Sequence, residues 1–124
     1  MRILGCAVAI AMVIIAVPAN HVAAQVNPFR NTAVENLTEK DLETIGAAAV
    51  PLYTIANPEL GSSAAWSNPE SGNFGTIELV DIYEWRKMPC RRLHHLMRVK
   101  GWKDTLNLTI ERCQVSSGEW KIRY

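Results

Sequence analysis

Two cysteines, Cys90 and Cys113, constrain the fold of this chain more than any other feature. They are placed symmetrically about Gly101-Trp102, which has the composition of a tight hairpin turn. A hairpin that turns there pairs residues whose numbers sum to 203, so Cys90 faces Cys113. The sequence therefore predicts a disulfide across two antiparallel strands, which is typical of an oxidising compartment.

The first 24 residues have the organisation of a secretory signal peptide. Arg2 precedes an apolar run over residues 3–17, and small residues ending at Ala24 provide a cleavage site before Gln25. The run is shorter than the roughly 20 residues that span a bilayer, so we expect cleavage rather than a membrane anchor. Cys6 comes too early in the run for a lipoprotein cysteine and is expected to be removed with the signal.

The remaining 100 residues have the size of a single domain. Residues 25–36 are predicted to be an irregular lead-in and residues 37–124 the folded part. The mature chain has 12 acidic and 12 basic residues, which gives no net attraction to nucleic acid. Residues 25–84 carry nine acids and two bases, whereas residues 85–124 carry ten bases and three acids. This asymmetry indicates either two halves that neutralise each other, which we favour, or a binding face.

The start of the folded part predicts a helix. Thr38 and Asp41 have the spacing of a capping box, with Asp in place of the usual Glu. The apolar residues that follow recur at helical spacing and define one buried face: Leu42, Ile45, Ala49 and Leu52. Pro51 is expected to end the helix near Val50 or to kink it.

Four segments after the helix are rich in β-branched and aromatic residues: 76–83, 90–100, 105–115 and 120–124. Residues 57–63 are predicted to be a linker. Trp66 and Phe74 flank a turn and are expected to meet across it. In the central hairpin, Leu93 and Leu108 belong to the apolar face that should meet the helix. We predict an α+β fold, with one N-terminal helix packed on a small antiparallel β-meander of about four strands and one disulfide.

An ordered set of residues resembles a known family. The set is Trp66-x-Asn68-Pro69-x-x-Gly72-x-x-Gly75, then Cys90-Arg91, then Cys113 and Gly118-x-Trp120, with Leu37-Thr38-x-x-Asp41 upstream. It is similar to the C-terminal domain of the 17-kilodalton outer-membrane surface-antigen family of Gram-negative bacteria. The resemblance implies export and a role in the cell envelope, in the periplasm or associated with the outer membrane, and it implies no catalytic residues. The chain lacks the glycine-rich repeat of many members, and after signal removal we predict no transmembrane domain.

No arrangement of residues indicates catalysis, a metal or a cofactor. His94 and His95 are adjacent on a predicted strand and so point to opposite faces, and we expect both to be structural and hydrogen-bonded. A basic and aromatic cluster suggests contact with an anionic envelope component or an envelope protein, with a solvated sheet face as the alternative. Its members are Trp85, Arg86, Lys87, Arg91, Arg92, Arg98, Lys100 and Trp102.

The sequence therefore favours a non-enzymatic envelope protein with a binding or structural role. The alternative is a small periplasmic inhibitor or ligand-binding module that uses this cluster as its contact surface.

Overall fold

The computed structural model describes residues 33–123, which form one helix packed on a five-stranded antiparallel sheet whose strand order follows the sequence. The predicted α+β class is confirmed, with five strands rather than about four. The predicted signal peptide lies outside the described residues, and the end of the predicted irregular lead-in forms a 3-10 turn, Ala33–Asn36. The elements are α1 (Glu39–Thr54), β1 (Ser63–Asn68), β2 (Asn73–Trp85), β3 (Met88–Arg98), β4 (Leu106–Gln114) and β5 (Trp120–Arg123).

Helix α1 begins with the predicted capping box. The Asp41 amide donates to the Thr38 hydroxyl at 3.1 Å, and the Thr38 amide donates to the Asp41 carboxylate at 2.8 Å. The helix continues through Pro51 to Thr54, so the prediction of an end near Val50 was wrong. Ala49 and Leu52 are buried as predicted, but Leu42 is 54% exposed. Asp41 is buried instead, because polar side chains of the β1–β2 turn surround it.

The central hairpin has the predicted register. Cys90 pairs with Cys113 and Leu93 with Ile110. The disulfide joins Cys90 to Cys113, whose Cα atoms are 4.1 Å apart. The connection is longer than the two residues predicted, since β3 ends at Arg98 and β4 begins at Leu106. The cysteines still pair because the longer loop remains centred on the same residues.

The strand β1 was missed, because residues 57–63 were assigned to a linker and the turn after Trp66 was not extended into a full strand. Trp66 pairs with Gly75, and Phe74 pairs with Ser67. Since adjacent residues of a strand alternate in direction, Trp66 is buried beneath the helix and Phe74 is 52% exposed on the other face. The predicted contact between Trp66 and Phe74 is therefore wrong.

The core lies between α1 and strands β1 to β3, and Ile77, Leu79 and Leu93 are its fully buried centre. Leu108 of β4 lies at its margin and is only partly buried. The pairing of β2 with β3 shifts by one residue between Leu79 and Asp81. A bulge of this kind reverses which face the following side chains occupy, and so it places Asp81 on the face away from the helix.

Candidate functional site

Strand β3 separates the residues that were predicted to form one basic contact surface. Trp85, Arg86 and Lys87 lie at the turn before it, whereas Arg98, Lys100 and Trp102 lie at its other end. The strand has 11 residues, so its ends are roughly 33 Å apart. Arg91 and Arg92, near its first end, are adjacent and therefore point to opposite faces. The structure thus divides the predicted cluster into four places.

The turn between β2 and β3 is a tight turn of two basic residues, Arg86 and Lys87, which we call the tip. Arg86 and Lys87 have φ angles of 48° and 62°, a left-handed conformation that is uncommon for residues other than glycine. The guanidinium carbon of Arg86 lies 4.4 Å from the centroid of the Trp85 ring, and that of Arg123 in β5 lies 4.3 Å from it. Two guanidinium groups on one indole hold Trp85 at the end of the sheet.

The opposite end of the sheet carries the second group. Trp102 is 44% exposed in the β3–β4 loop, and Arg98 donates to the Thr105 hydroxyl at 3.3 Å. The Lys100 backbone amide donates to the Asn73 side chain at 2.7 Å, which fixes the loop to the β1–β2 turn. The loop is therefore held in place, with its cationic side chains in solvent.

Arg92 belongs to a charge ladder on the face away from the helix. It contacts the carboxylates of Asp81 and Glu111, each at 2.7 Å, and Arg123 approaches Glu111 at 3.5 Å. The hydrogen bonds that Arg92 donates to Glu111 raise the pKa of Arg92 and lower the pKa of Glu111. Two carboxylates already neutralise Arg92, so it offers little charge to a partner.

Arg91 and Arg112 form an arginine pair on the helix side of the sheet. They are direct cross-strand partners, and Arg91 is only 7% exposed. Arg91 stacks over Trp120 at 5.3 Å and Arg112 over Tyr53 at 4.7 Å. The two rings contact each other at a centroid distance of 5.8 Å. Strands β3, β4 and β5 and the last turn of α1 thus converge on two cations.

The arginine pair lacks counter-charges among the described residues. Neither side chain makes an ion pair, and the Nε atoms of both are buried without a hydrogen-bond partner. Within residues 33–123 the side chains of the pair make one hydrogen bond, from Arg91 Nη1 to the carbonyl oxygen of Cys90 at 3.1 Å. Like charges directly opposite each other in a sheet are destabilising. Burial lowers the pKa of Arg91, but a guanidinium stays protonated in proteins.

His95 adds an unpaired imidazole to the same face. It is 2% exposed, and neither ring nitrogen has a hydrogen-bond partner among the described residues. Burial, together with the charges of Arg112 and His94, lowers its pKa from 6.5 to about 4. His94 lies on the other face and contacts the Asn107 side chain. The expectation that both histidines are hydrogen-bonded is therefore wrong for His95.

A buried polar network centres on Asp41 and includes Asn68 of the ordered motif. The Asp41 carboxylate accepts hydrogen bonds from Asn68 at 2.8 Å, Ser71 at 2.6 Å and Asn73 at 2.7 Å, besides the Thr38 amide. Burial alone would raise the pKa of Asp41, but these bonds outweigh it and lower the pKa to about 2. We call this group the aspartate knot: Thr38, Asp41, Asn68, Ser71 and Asn73.

The glycines of the motif meet the steric needs of the same region. Gly72 has a φ of 77° in the β1–β2 turn. A Cβ atom on Gly75 would lie 2.3 Å from the carbonyl oxygen of Leu96 and 2.9 Å from the Trp66 ring nitrogen. Pro69 is exposed in the turn, and Gly118, with a φ of 88°, turns the chain before Trp120.

Arg112 and Tyr53 were missed by the sequence reasoning. The predicted register already placed Arg112 opposite Arg91, so the like-charge pair was available from the hairpin alone. Tyr53 was not, because α1 was expected either to end near Val50 or to kink at Pro51. The helix continues to Thr54, and this last turn brings Tyr53 to the pair.

Residues 33–123 contain neither a candidate metal site nor a candidate membrane span. That part of the chain has no group of three or more His, Cys, Asp or Glu side chains placed to hold a metal ion. It also has no helix long and apolar enough to cross a bilayer. Comparison of the chain with family models, with curated proteins and with solved structures found no match.

Proposed function

We propose that the protein is an exported, non-enzymatic binding module of the cell envelope that recognises an anionic group through the arginine pair. The observation that carries this proposal is the position of Arg91 and Arg112, which lie opposite each other on one face without a carboxylate partner among the described residues. A fold gains nothing from two adjacent unpaired cations, whereas a bound anion would neutralise both.

The geometry favours a carboxylate or a phosphate as the bound group. Guanidinium groups donate in pairs to the two oxygens of such anions, and they are more weakly hydrated than the ammonium of lysine. Tyr53 and Trp120 hold the two guanidinium groups by stacking, which restricts their motion before binding. These side chains are therefore already ordered in the folded protein, so binding loses less conformational entropy.

Location in the envelope rests on three lines of support. The first 24 residues have the organisation of a signal peptide. The disulfide between Cys90 and Cys113 is compatible with an oxidising compartment. The ordered motif resembles the surface-antigen family. Fractionation of the native host tests this part: we expect the protein, beginning at Gln25, in the periplasmic or outer-membrane fraction, and recovery in the cytoplasm with an intact Met1 would contradict it.

Anion recognition is tested by unfolding the protein in urea with citrate or inorganic phosphate, against sodium chloride at equal ionic strength. A ligand at ten times its Kd stabilises the folded state by about 1.4 kcal/mol. We expect stabilisation of the wild type and none of Arg112→Met. Arg98→Met is the matched control, because this exposed arginine lies at the far end of the sheet and its loss should leave the effect intact. Equal stabilisation of Arg112→Met and the wild type would contradict the proposal.

A second candidate function is the small periplasmic inhibitor or ligand-binding module. The tip at Arg86 and Lys87 favours it, because two left-handed residues other than glycine are held there beside a stacked Trp85. Such strain is found at contact sites that the surrounding structure keeps fixed. A pull-down from envelope extract tests this candidate: one stoichiometric enzyme partner, lost with Trp85→Ala, supports it, and retention of the partner by that variant contradicts it.

A further inference from the structure

Strand β4 has an open edge that the proposed anion site does not use. Strand β5 pairs with residues 111–114 only, so within residues 33–123 the segment Leu106–Ile110 has a strand neighbour on one side alone. The Val115 amide donates to the Glu119 carbonyl across the β4–β5 turn. Because an antiparallel strand alternates the direction of its backbone groups, Thr109 and Asn107 point their amide and carbonyl groups at the open side.

This edge lacks the features that normally prevent strand pairing. Proteins protect open edges with charged side chains, proline or a bulge. The segment reads Leu-Asn-Leu-Thr-Ile, without charge or proline, and its pairing with β3 shows no register shift. A shallow cavity of about 240 Å³ lies where β5 ends. Its lining combines apolar and polar segment residues with charged neighbours: Leu108, Thr109, Ile110, Ile122, Arg92, Glu111 and Arg123. The open edge therefore combines free backbone groups with apolar side chains that are only partly buried.

We propose that the open edge pairs with the same edge of a second copy of this chain. A two-fold axis at Leu108 places Leu108 opposite itself and Leu106 opposite Ile110, all on the helix side. The same axis places Asn107 opposite Thr109, so polar residues meet polar residues on the other face. No like charges meet, because the segment is uncharged. Each copy thus provides backbone hydrogen-bond partners for the open edge of the other, and the two five-stranded sheets form one continuous sheet.

The backbone directions agree with this axis. Asn107 and Thr109 are the residues whose amide and carbonyl groups face outward, and the axis makes them a hydrogen-bonded cross-strand pair on each side of Leu108. Leu108 then belongs to the closely spaced pair without hydrogen bonds, in which Cα atoms lie about 4.5 Å apart. The disulfide between β3 and β4 fixes the register of the strand that is presented. The pairing is short, so we expect a dimer that dissociates on dilution.

The experiment uses two single cysteine variants of the mature protein with its disulfide intact. Leu108→Cys places a thiol opposite itself across the axis, whereas Ile110→Cys places it opposite Leu106. Under mild oxidation we expect Leu108→Cys to form a covalent dimer at least about ten times faster than Ile110→Cys, since only the first pair has the separation that a disulfide needs. Equal rates for the two variants would overturn the proposed axis.

Sedimentation of the wild-type protein tests the association itself, without any substitution. We expect the weight-average mass to rise toward that of a dimer as the concentration increases to about 1 mM, and a constant monomer mass would overturn the proposal. Thr109→Pro removes one outward amide from the open edge while leaving the side toward β3 intact, so it should weaken association at least about tenfold. Circular dichroism and an intact Cys90–Cys113 disulfide verify that this variant is folded. Unchanged association of a folded Thr109→Pro variant would also contradict the proposed pairing.

Discussion

Asp41 and Arg91 are both buried charged residues near opposite ends of helix α1, and their surroundings differ in kind. Four hydrogen bonds reach the Asp41 carboxylate, from the N-cap residue of α1 and from side chains in and beside the β1–β2 turn. Among the described residues the Arg91 side chain has one hydrogen bond, made to the adjacent backbone, and its cross-strand neighbour is another arginine. A buried charge with complete hydrogen bonding stabilises the fold, whereas an unpaired one is a candidate for ligand binding. A structural network at Asp41 and a proposed binding site at Arg91 therefore lie within a single small domain.

The largest expected effect is the loss of stability when the aspartate knot is broken. Asp41→Ala removes the acceptor of four hydrogen bonds and leaves the amides of Asn68 and Asn73 buried without a partner. We expect the free energy of unfolding to fall by roughly 3–5 kcal/mol, the range for loss of one member of a buried polar network. Urea denaturation monitored by circular dichroism measures this. Lys40→Ala is the control, since its ion pair with Glu43 is exposed and should contribute little. Equal costs for the two variants would show that the knot is not structural.

The second prediction concerns the disulfide beside the arginine pair. Cys90 and Cys113 are adjacent to Arg91 and Arg112 on the same two strands, so a covalent bond fixes the end where charges are unpaired. Cys90→Ala should lower the free energy of unfolding by about 2–5 kcal/mol, the range for removal of a native disulfide from a small secreted domain. Mass mapping of the native protein without reductant should find the two cysteines joined. Free thiols at both positions would contradict the structure.

The third prediction is a pH-dependent loss of stability caused by His95, which lies on the same face of the sheet as the arginine pair. The pKa of His95 is about 4 in the folded protein and near 6.5 when unfolded. Between these values the unfolded state binds more protons, so stability is full above pH 6.5 and falls by about 3 kcal/mol as the pH decreases to 4. His95→Leu should remove this loss, because neither ring nitrogen has a hydrogen bond to replace. An unchanged pH profile in a folded His95→Leu variant would assign the loss to other groups.

The aspartate knot also makes stability depend on pH, but in a lower pH range. The pKa of Asp41 is about 2 in the folded protein against an ordinary value of 3.8. A lowered carboxyl pKa contributes stability above the unfolded value, and that contribution of about 2 kcal/mol is lost as the pH falls from 3.8 toward 2. Asp41→Asn should abolish this acid step while leaving the His95 step unchanged. Loss of both steps in Asp41→Asn would show that the two ends of the helix are coupled.

The two regions also differ in how far the sequence predicted them. The capping box gave the local pair of Thr38 and Asp41, since three-residue spacing on a helix is a local property. The contacts of Asp41 with Asn68 and Asn73 depend on how a strand returns beneath the helix, and nothing local encodes that. The predicted hairpin register placed Arg112 opposite Arg91, but the pair was not recognised from the sequence and its burial was not predicted. A bulge in β2 and a helix that continues through Pro51 decided which face was covered, and both are tertiary outcomes.

The smallest expected effect has the opposite sign from the first. Arg112→Met keeps an unbranched side chain of similar length beside Tyr53 and removes one of two facing charges. Replacement of an unfavourable buried charge by a packed apolar side chain is often neutral or stabilising, so we expect the free energy of unfolding to rise by roughly 1 kcal/mol in the absence of anions. Arg92→Met is the matched control, because Asp81 and Glu111 neutralise Arg92 and its loss leaves both carboxylates unpaired. That variant should be destabilised. Urea denaturation at low ionic strength measures both, since salt would screen the repulsion. If Arg112→Met is the less stable of the two, the pair has a structural role like that of Asp41, and the contrast between the two ends of the helix fails.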